Sequence, residues 1–131
     1  MTMKWTSGGM KSPLSRARGL GSAKSGSHHW MMQRVTAVSN AVLGLWFVWS
    51  VLTLANADYA IVRDWLAAPV NAILMILFVI SSYYHAVLGL QVVTEDYVHC
   101  EGLKVIKLMG QKLLYTGLGV ACVFAVLKVA L

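Results

Sequence analysis

Ser81-Ser82-Tyr83-Tyr84-His85-Ala86-Val87-Leu88-Gly89-Leu90-Gln91-Val92-Val93-Thr94-Glu95-Asp96-Tyr97 closes an apolar run that begins near Val70 and ends in two acids and a tyrosine. An uncharged apolar run of about 20 residues reads as a membrane span. His85 then sits at a depth where the surroundings are hydrocarbon. An ionisable side chain there is costly and asks for a functional reason. Asp96 follows His85 by eleven positions. At 100° per residue that is three turns plus about 20°, so the two share a face, ~16 Å apart along the axis, if the helix continues.

The composition of the whole chain agrees with a membrane protein. Of 131 residues, 58% are hydrophobic and 12% charged, against about 25% charged in a typical soluble domain. The hydrophobic residues come in blocks, and the chain has room for a few spans only. The net charge is +6, and six of the eleven basic residues precede Val35: Lys4, Lys11, Arg16, Arg18, Lys24 and Arg34. A basic tail beside a span marks the cytoplasmic side of a membrane rather than a nucleic-acid site. Cys100 and Cys122 lack CxxC spacing, and Cys122 lies in an apolar run, so neither a disulfide nor a metal clip is suggested.

Residues 1–27 read as a flexible basic tail, rich in Gly, Ser, Lys and Arg and free of acids. No apolar block precedes them, so they do not read as a secretory signal. Their composition resembles an organellar transit peptide, but a tail lying on a partner or on anionic headgroups is preferred. Residues 28–131 read as an all-α membrane domain of three transmembrane helices, up-down-up, with spans at roughly 35–55, 70–93 and 113–131. In the first, Thr36, Asn40 and Gly44 form a small and polar stripe suited to another helix, with Asn40 making an interhelical hydrogen bond. Residues 56–68 connect it to the second through Asp58, Tyr59, Arg63, Asp64 and Trp65, an interfacial segment that suits a short helix, and Pro69 fits the start of the next span. Residues 95–112 read as the second connection, carrying Lys104, Lys107 and Lys112. Gly117, Ala121 and Ala125 read as a packing stripe on the third span. The positive residues put the N-terminus and the 95–112 connection on the cytoplasmic or matrix side, together with Arg34, Asp96, Tyr97, His28 and His29.

His85 has three readings from its setting. It is a core histidine hydrogen-bonded across helices, a proton relay, or a haem ligand. The relay reading usually needs several buried ionisable groups, and His85 is the one histidine in the spans. The haem reading needs small neighbours, which Ser81, Ser82 and Gly89 supply on one side of the helix, and a second axial ligand from another chain.

His85-Ala86-x-x-Gly89 with Asp96-Tyr97 resembles the second helix of the small membrane-anchor subunit of succinate dehydrogenase, respiratory complex II, the cytochrome b-type hydrophobic anchor. His28-His29-Trp30-x-x-Gln33-Arg34-Val35-Thr36-Ala37 resembles the start of that family's first helix, and the likeness covers about residues 28–131. The resemblance implies a three-helix subunit that packs with a second, larger membrane-anchor subunit into a haem-binding bundle. It implies His85 as an axial ligand of a haem b shared with that partner, with His28, Arg34, Ser82 and Gly89 near the haem. It implies a ubiquinone site at Tyr97, Asp96 and Arg34, with the Tyr97 hydroxyl on a quinone carbonyl. His29 stands where some relatives carry an acid. FAD and iron–sulfur clusters would belong to a flavoprotein and an iron–sulfur subunit that the anchor attaches to the membrane. The implied location is the bacterial inner membrane with a cytoplasmic N-terminus, or the mitochondrial inner membrane in a eukaryote. A solvated acid at Asp96 and an interfacial aromatic at Tyr97 are the bland alternatives. A fumarate reductase-type anchor and a non-redox membrane scaffold are the alternative functions.

Overall fold

The structure is a computed structural model that describes residues 12–18 and 26–131. The described residues form helices α1 (Pro13–Ala17), α2 (Gly26–Leu54), α3 (Tyr59–Ala67), α4 (Pro69–Tyr97) and α5 (Glu101–Ala130). Helices α2, α4 and α5 have 29, 29 and 30 residues and are long and apolar enough to cross a membrane. At 1.5 Å per residue each is about 44 Å long, which covers the hydrocarbon core and both headgroup layers. Most of the N-terminal tail, residues 1–11 and 19–25, lies outside the described residues.

Helix ends follow from local sequence. Ala68, with ψ of 125°, closes α3 and opens α4, and Pro69 occupies the first helical position, where a missing N–H costs nothing. Asn71 Nδ2 donates to the Trp65 carbonyl at 2.8 Å and ties the elbow. Between α4 and α5 only Val98, His99 and Cys100 leave the helical pattern. The expected connection over 95–112 is therefore mostly helix. Leu103, Lys104, Lys107, Leu108 and Gln111 are good helix formers, so the helix runs on past the apolar run into the polar layer. Helix α2 likewise begins at Gly26, outside the apolar span that opens near Val35, with Met31, Met32, Gln33 and Arg34 as good helix formers between them.

Packing is antiparallel and centred on α4, which contacts α2, α3 and α5. Along the α2–α4 seam, Thr36 meets His85, Asn40 meets Ser82, and Phe47 stacks on Phe78 at 5.1 Å, so numbers rise on one helix as they fall on the other. Gly44 sits against Phe78, with a Cβ at this position 3.8 Å from the ring, an ordinary contact distance. The Thr36–Asn40–Gly44 stripe is therefore a helix contact. On the α4–α5 seam, the Tyr83 ring would lie 3.4 Å from a Cβ at Gly119 and meets Tyr115 edge-on at 6.2 Å. The Tyr83 hydroxyl lies 3.3 Å from Cys122 Sγ. Near the turn, Thr94 Oγ1 donates to Gln111 Oε1 at 3.0 Å, both side chains buried. The Gly117–Ala121–Ala125 stripe does not make this seam: all three residues are exposed, and nothing lies within 4 Å of a Cβ at Gly117. The contact face of α5 runs through Gln111, Tyr115, Gly119 and Cys122 instead. Helix α3 leans on α4 and α5, and Trp65 stacks on Trp46 at 5.7 Å.

Leu88 is the one buried hydrophobic side chain among the described residues, while large apolar side chains on every long helix are exposed. Burial of this kind cannot hold a water-soluble fold. The outer faces suit lipid or partner helices, and the seams are joined by small residues and interhelical hydrogen bonds, each about 0.6 kcal/mol on average in a bilayer.

Candidate functional site

His85 lies near the middle of α4, and the helix continues unbroken from it to Tyr97. Its half-buried ring turns toward α2, where Nδ1 is 2.9 Å from Thr36 Oγ1. Two further contacts fasten the same strip. Ser81 Oγ donates to the Thr36 carbonyl at 3.4 Å, and Ser82 Oγ donates to Asn40 Oδ1 at 3.4 Å. The Thr36 hydroxyl also lies 2.8 Å from the Met32 carbonyl and 3.2 Å from the Gln33 carbonyl of its own helix. Hydroxyls in a bilayer have no water to satisfy them, so such back-bonds are the usual solution. His85 Nε2 has no hydrogen-bond partner among the described residues. Gly89, one turn on, leaves open space where a side chain would stand. One imidazole nitrogen is thus engaged within the chain and the other is available to a ligand.

The second group of residues gathers at one end of the bundle. Because α2 and α4 are antiparallel, the start of α2 and the end of α4 lie together, bringing His28, Arg34, Asp96 and Tyr97 to one side. They are not joined there. Arg34 is exposed, and its guanidinium lies over the Trp30 ring at 5.1 Å, a cation–π contact worth about 0.5–1 kcal/mol at an exposed site. Asp96 and Tyr97 are exposed, and Gln91 Nε2 donates to Glu95 Oε1 beside them at 2.8 Å. The sole ion pair among the described residues is Lys104–Glu101 at 3.7 Å, so Asp96 does not pair with Arg34. His28 is exposed, whereas His29 has a buried Nε2 without a hydrogen-bond partner.

Sequence reasoning placed Thr36 in a packing stripe and missed that it touches His85. The available signal was its residue type: Thr36 is the stripe's one hydroxyl, facing a span whose one histidine needed a partner. Thr94 and Gln111 were missed as well, although each is a polar side chain on a largely apolar helix. A separate cleft of about 650 Å³ opens between α4 and α5, walled by Tyr83, Tyr84, Val87 and Tyr115, with Gln91 and Lys112 among its polar groups.

Comparison with known proteins gives a consistent result. The family described as succinate dehydrogenase/fumarate reductase transmembrane subunit matches residues 9–127. The chain is 44% identical over 94 residues to the succinate dehydrogenase hydrophobic membrane anchor subunit of Rickettsia bellii, covering 72% of this chain and 75% of that protein. It is 42% identical over 95 residues to the protein of the same name from Rickettsia conorii, with the same shares covered. The corresponding protein of Rickettsia felis is 44% identical over 80 residues, 61% of this chain and 67% of that one. No solved structure matches significantly. The matched stretch takes in α2 and α4 whole and nearly all of α5, and on this ground the chain belongs to the succinate dehydrogenase/fumarate reductase transmembrane subunit family.

Proposed function

We propose that the chain is the membrane-anchor subunit of a succinate:quinone oxidoreductase, contributing to a haem b site and a ubiquinone site. It is a non-catalytic subunit as regards succinate, whose oxidation falls to a flavoprotein carrying FAD and an iron–sulfur subunit. A larger anchor subunit completes the haem-binding bundle. The membrane is the bacterial inner membrane, with the N-terminus and the start of α5 on the cytoplasmic side, as the excess of Lys and Arg there suggests.

The observation that carries this reading is His85: a histidine at mid-span, held at Nδ1, with Nε2 unpartnered and open space at Gly89. These residues fit a haem. His85 would hold the iron, the partner anchor would supply a second ligand, and Ser82 and Gly89, both small, would leave room for the group. When bound, the haem supplies a one-electron redox centre. At the cytoplasmic end, the Tyr97 hydroxyl donates a hydrogen bond to a quinone carbonyl and stabilises charge developing on it. Arg34 is permanently cationic and suits anionic groups such as propionates. Asp96, exposed to water, suits proton delivery, and His28 stands at the same end.

A fumarate reductase direction of electron flow is the second reading, since the family description names both enzymes. The curated relatives are named for succinate dehydrogenase and favour the first. The test is His85→Ala in the assembled complex. It removes the Thr36 contact and the nitrogen that would hold the iron together, so the reduced-minus-oxidised haem spectrum should change and haem stoichiometry should fall. An unchanged spectrum at full haem content would rule out ligation by His85. Absence of any b-type signal from the wild-type complex would favour a non-redox scaffold.

A further inference from the structure

We infer that Thr36 is the positioning residue for His85: its hydroxyl accepts the Nδ1 proton, fixing the imidazole tautomer and turning the Nε2 lone pair away from α2. This inference rests on the proposal that His85 is a haem ligand.

The argument is a count of protons. The Thr36 oxygen has three close neighbours: the Met32 carbonyl at 2.8 Å, the Gln33 carbonyl at 3.2 Å and His85 Nδ1 at 2.9 Å. A hydroxyl carries one proton and two lone pairs. Both carbonyls only accept, so the proton goes to them, most directly to Met32. Giving it to Nδ1 instead would point hydroxyl lone pairs at two carbonyl oxygens with no water present to relieve them. The contact with Nδ1 is then an N–H···O bond, with histidine donating. A neutral imidazole protonated on Nδ1 has its lone pair on Nε2, the form a metal requires. The position of Thr36 is itself fixed. It is buried, and its own carbonyl accepts from Ser81 Oγ one turn before His85. Two bonds from one residue of α2 thus set the height and rotation of this part of α4.

A hydrogen bond from the far ring nitrogen makes a ligating histidine a stronger electron donor, which favours the oxidised metal. Loss of the hydroxyl should therefore raise the haem midpoint potential and weaken retention about 10–100-fold, the usual range for such outer partners. Three variants of the whole complex separate hydrogen bonding from packing. Thr36→Val keeps the shape and deletes the hydroxyl, Thr36→Ala deletes both the hydroxyl and the methyl group, and Thr36→Ser keeps the hydroxyl alone. The readouts are the midpoint potential, the electron paramagnetic resonance spectrum of the ferric haem and its rate of loss. The inference requires grouping by hydroxyl, with Ser beside wild type and Val with Ala. Grouping by shape, with Val beside wild type and Ser with Ala, overturns it, as does a Thr36→Val potential and spectrum equal to wild type. His85→Ala is measured in parallel. A wild-type haem spectrum in that variant removes the ligation proposal itself, whereas a changed spectrum there with shape-ordered Thr36 variants removes the role of Thr36 alone.

Discussion

Tyr97 ends α4 and is 78% exposed, twelve residues after a histidine whose ring is held to the α2 seam. The two are ~18 Å apart along the helix axis, far enough for their roles to be tested separately. Tyr97→Phe keeps the ring and deletes the hydroxyl. If that hydroxyl bonds a quinone carbonyl, its loss removes ~0.5–1.5 kcal/mol, a roughly two- to tenfold fall in succinate-to-quinone turnover, and more if charge builds on the carbonyl in the transition state. Electron transfer from succinate to an artificial acceptor upstream of the quinone, and haem content, should stay at wild-type levels. Normal quinone turnover in the variant would return Tyr97 to the status of an interfacial aromatic. Arg34 and Asp96 show where residue-level reading stops. Spacing placed them at one membrane end, but which groups touch depends on side-chain choices among near-equal partners, and Trp30, four positions before Arg34, takes the guanidinium.

Helix α5 teaches the opposite lesson at the scale of one element. Its existence was legible in a run of apolar residues, but its contact face was not. Its small-residue series, Gly117, Ala121 and Ala125, competes with a mixed face through Gln111, Tyr115, Gly119 and Cys122, and periodicity alone cannot say which one a neighbour will choose. At Gly119 a Cβ would lie 3.4 Å from the Tyr83 ring of α4, while Gly117 faces open space. The start of α5 was misplaced for a related reason: hydropathy marks where a span is apolar, whereas the helix continues for as long as its residues tolerate the conformation. Substitution separates the two glycines. Gly119→Leu forces side-chain volume into the Tyr83 ring and should destabilise the full chain in detergent by about 1–3 kcal/mol. Gly117→Leu meets open space and should leave the thermal or denaturant midpoint nearly unchanged in the same preparation. Equal losses from the two would mean that the α4–α5 seam is not the one described.

Over the whole molecule, three long helices joined in antiparallel order put the start of α2 and the end of α5 on opposite membrane faces. A reporter fused after Leu131 should read as periplasmic, and one at residue 20 as cytoplasmic; both on one side would exclude three spans. This architecture was the most legible part of the sequence, because span length and the absence of charge are properties of the chain alone. What lay beyond it were the partners of each face, because lipid, a neighbouring helix and another subunit select for similar apolar residues. The arrangement around α4 also bears on biogenesis. Its polar strip, Ser81, Ser82 and His85, is matched by Thr36 and Asn40 of a helix that leaves the ribosome earlier. If the helices insert in the order of synthesis, α2 enters the bilayer first, and the histidine need not wait in lipid for a helix still to be synthesised. Reversing that order of translation would leave the histidine-bearing span without a chaperone drawn from its own chain.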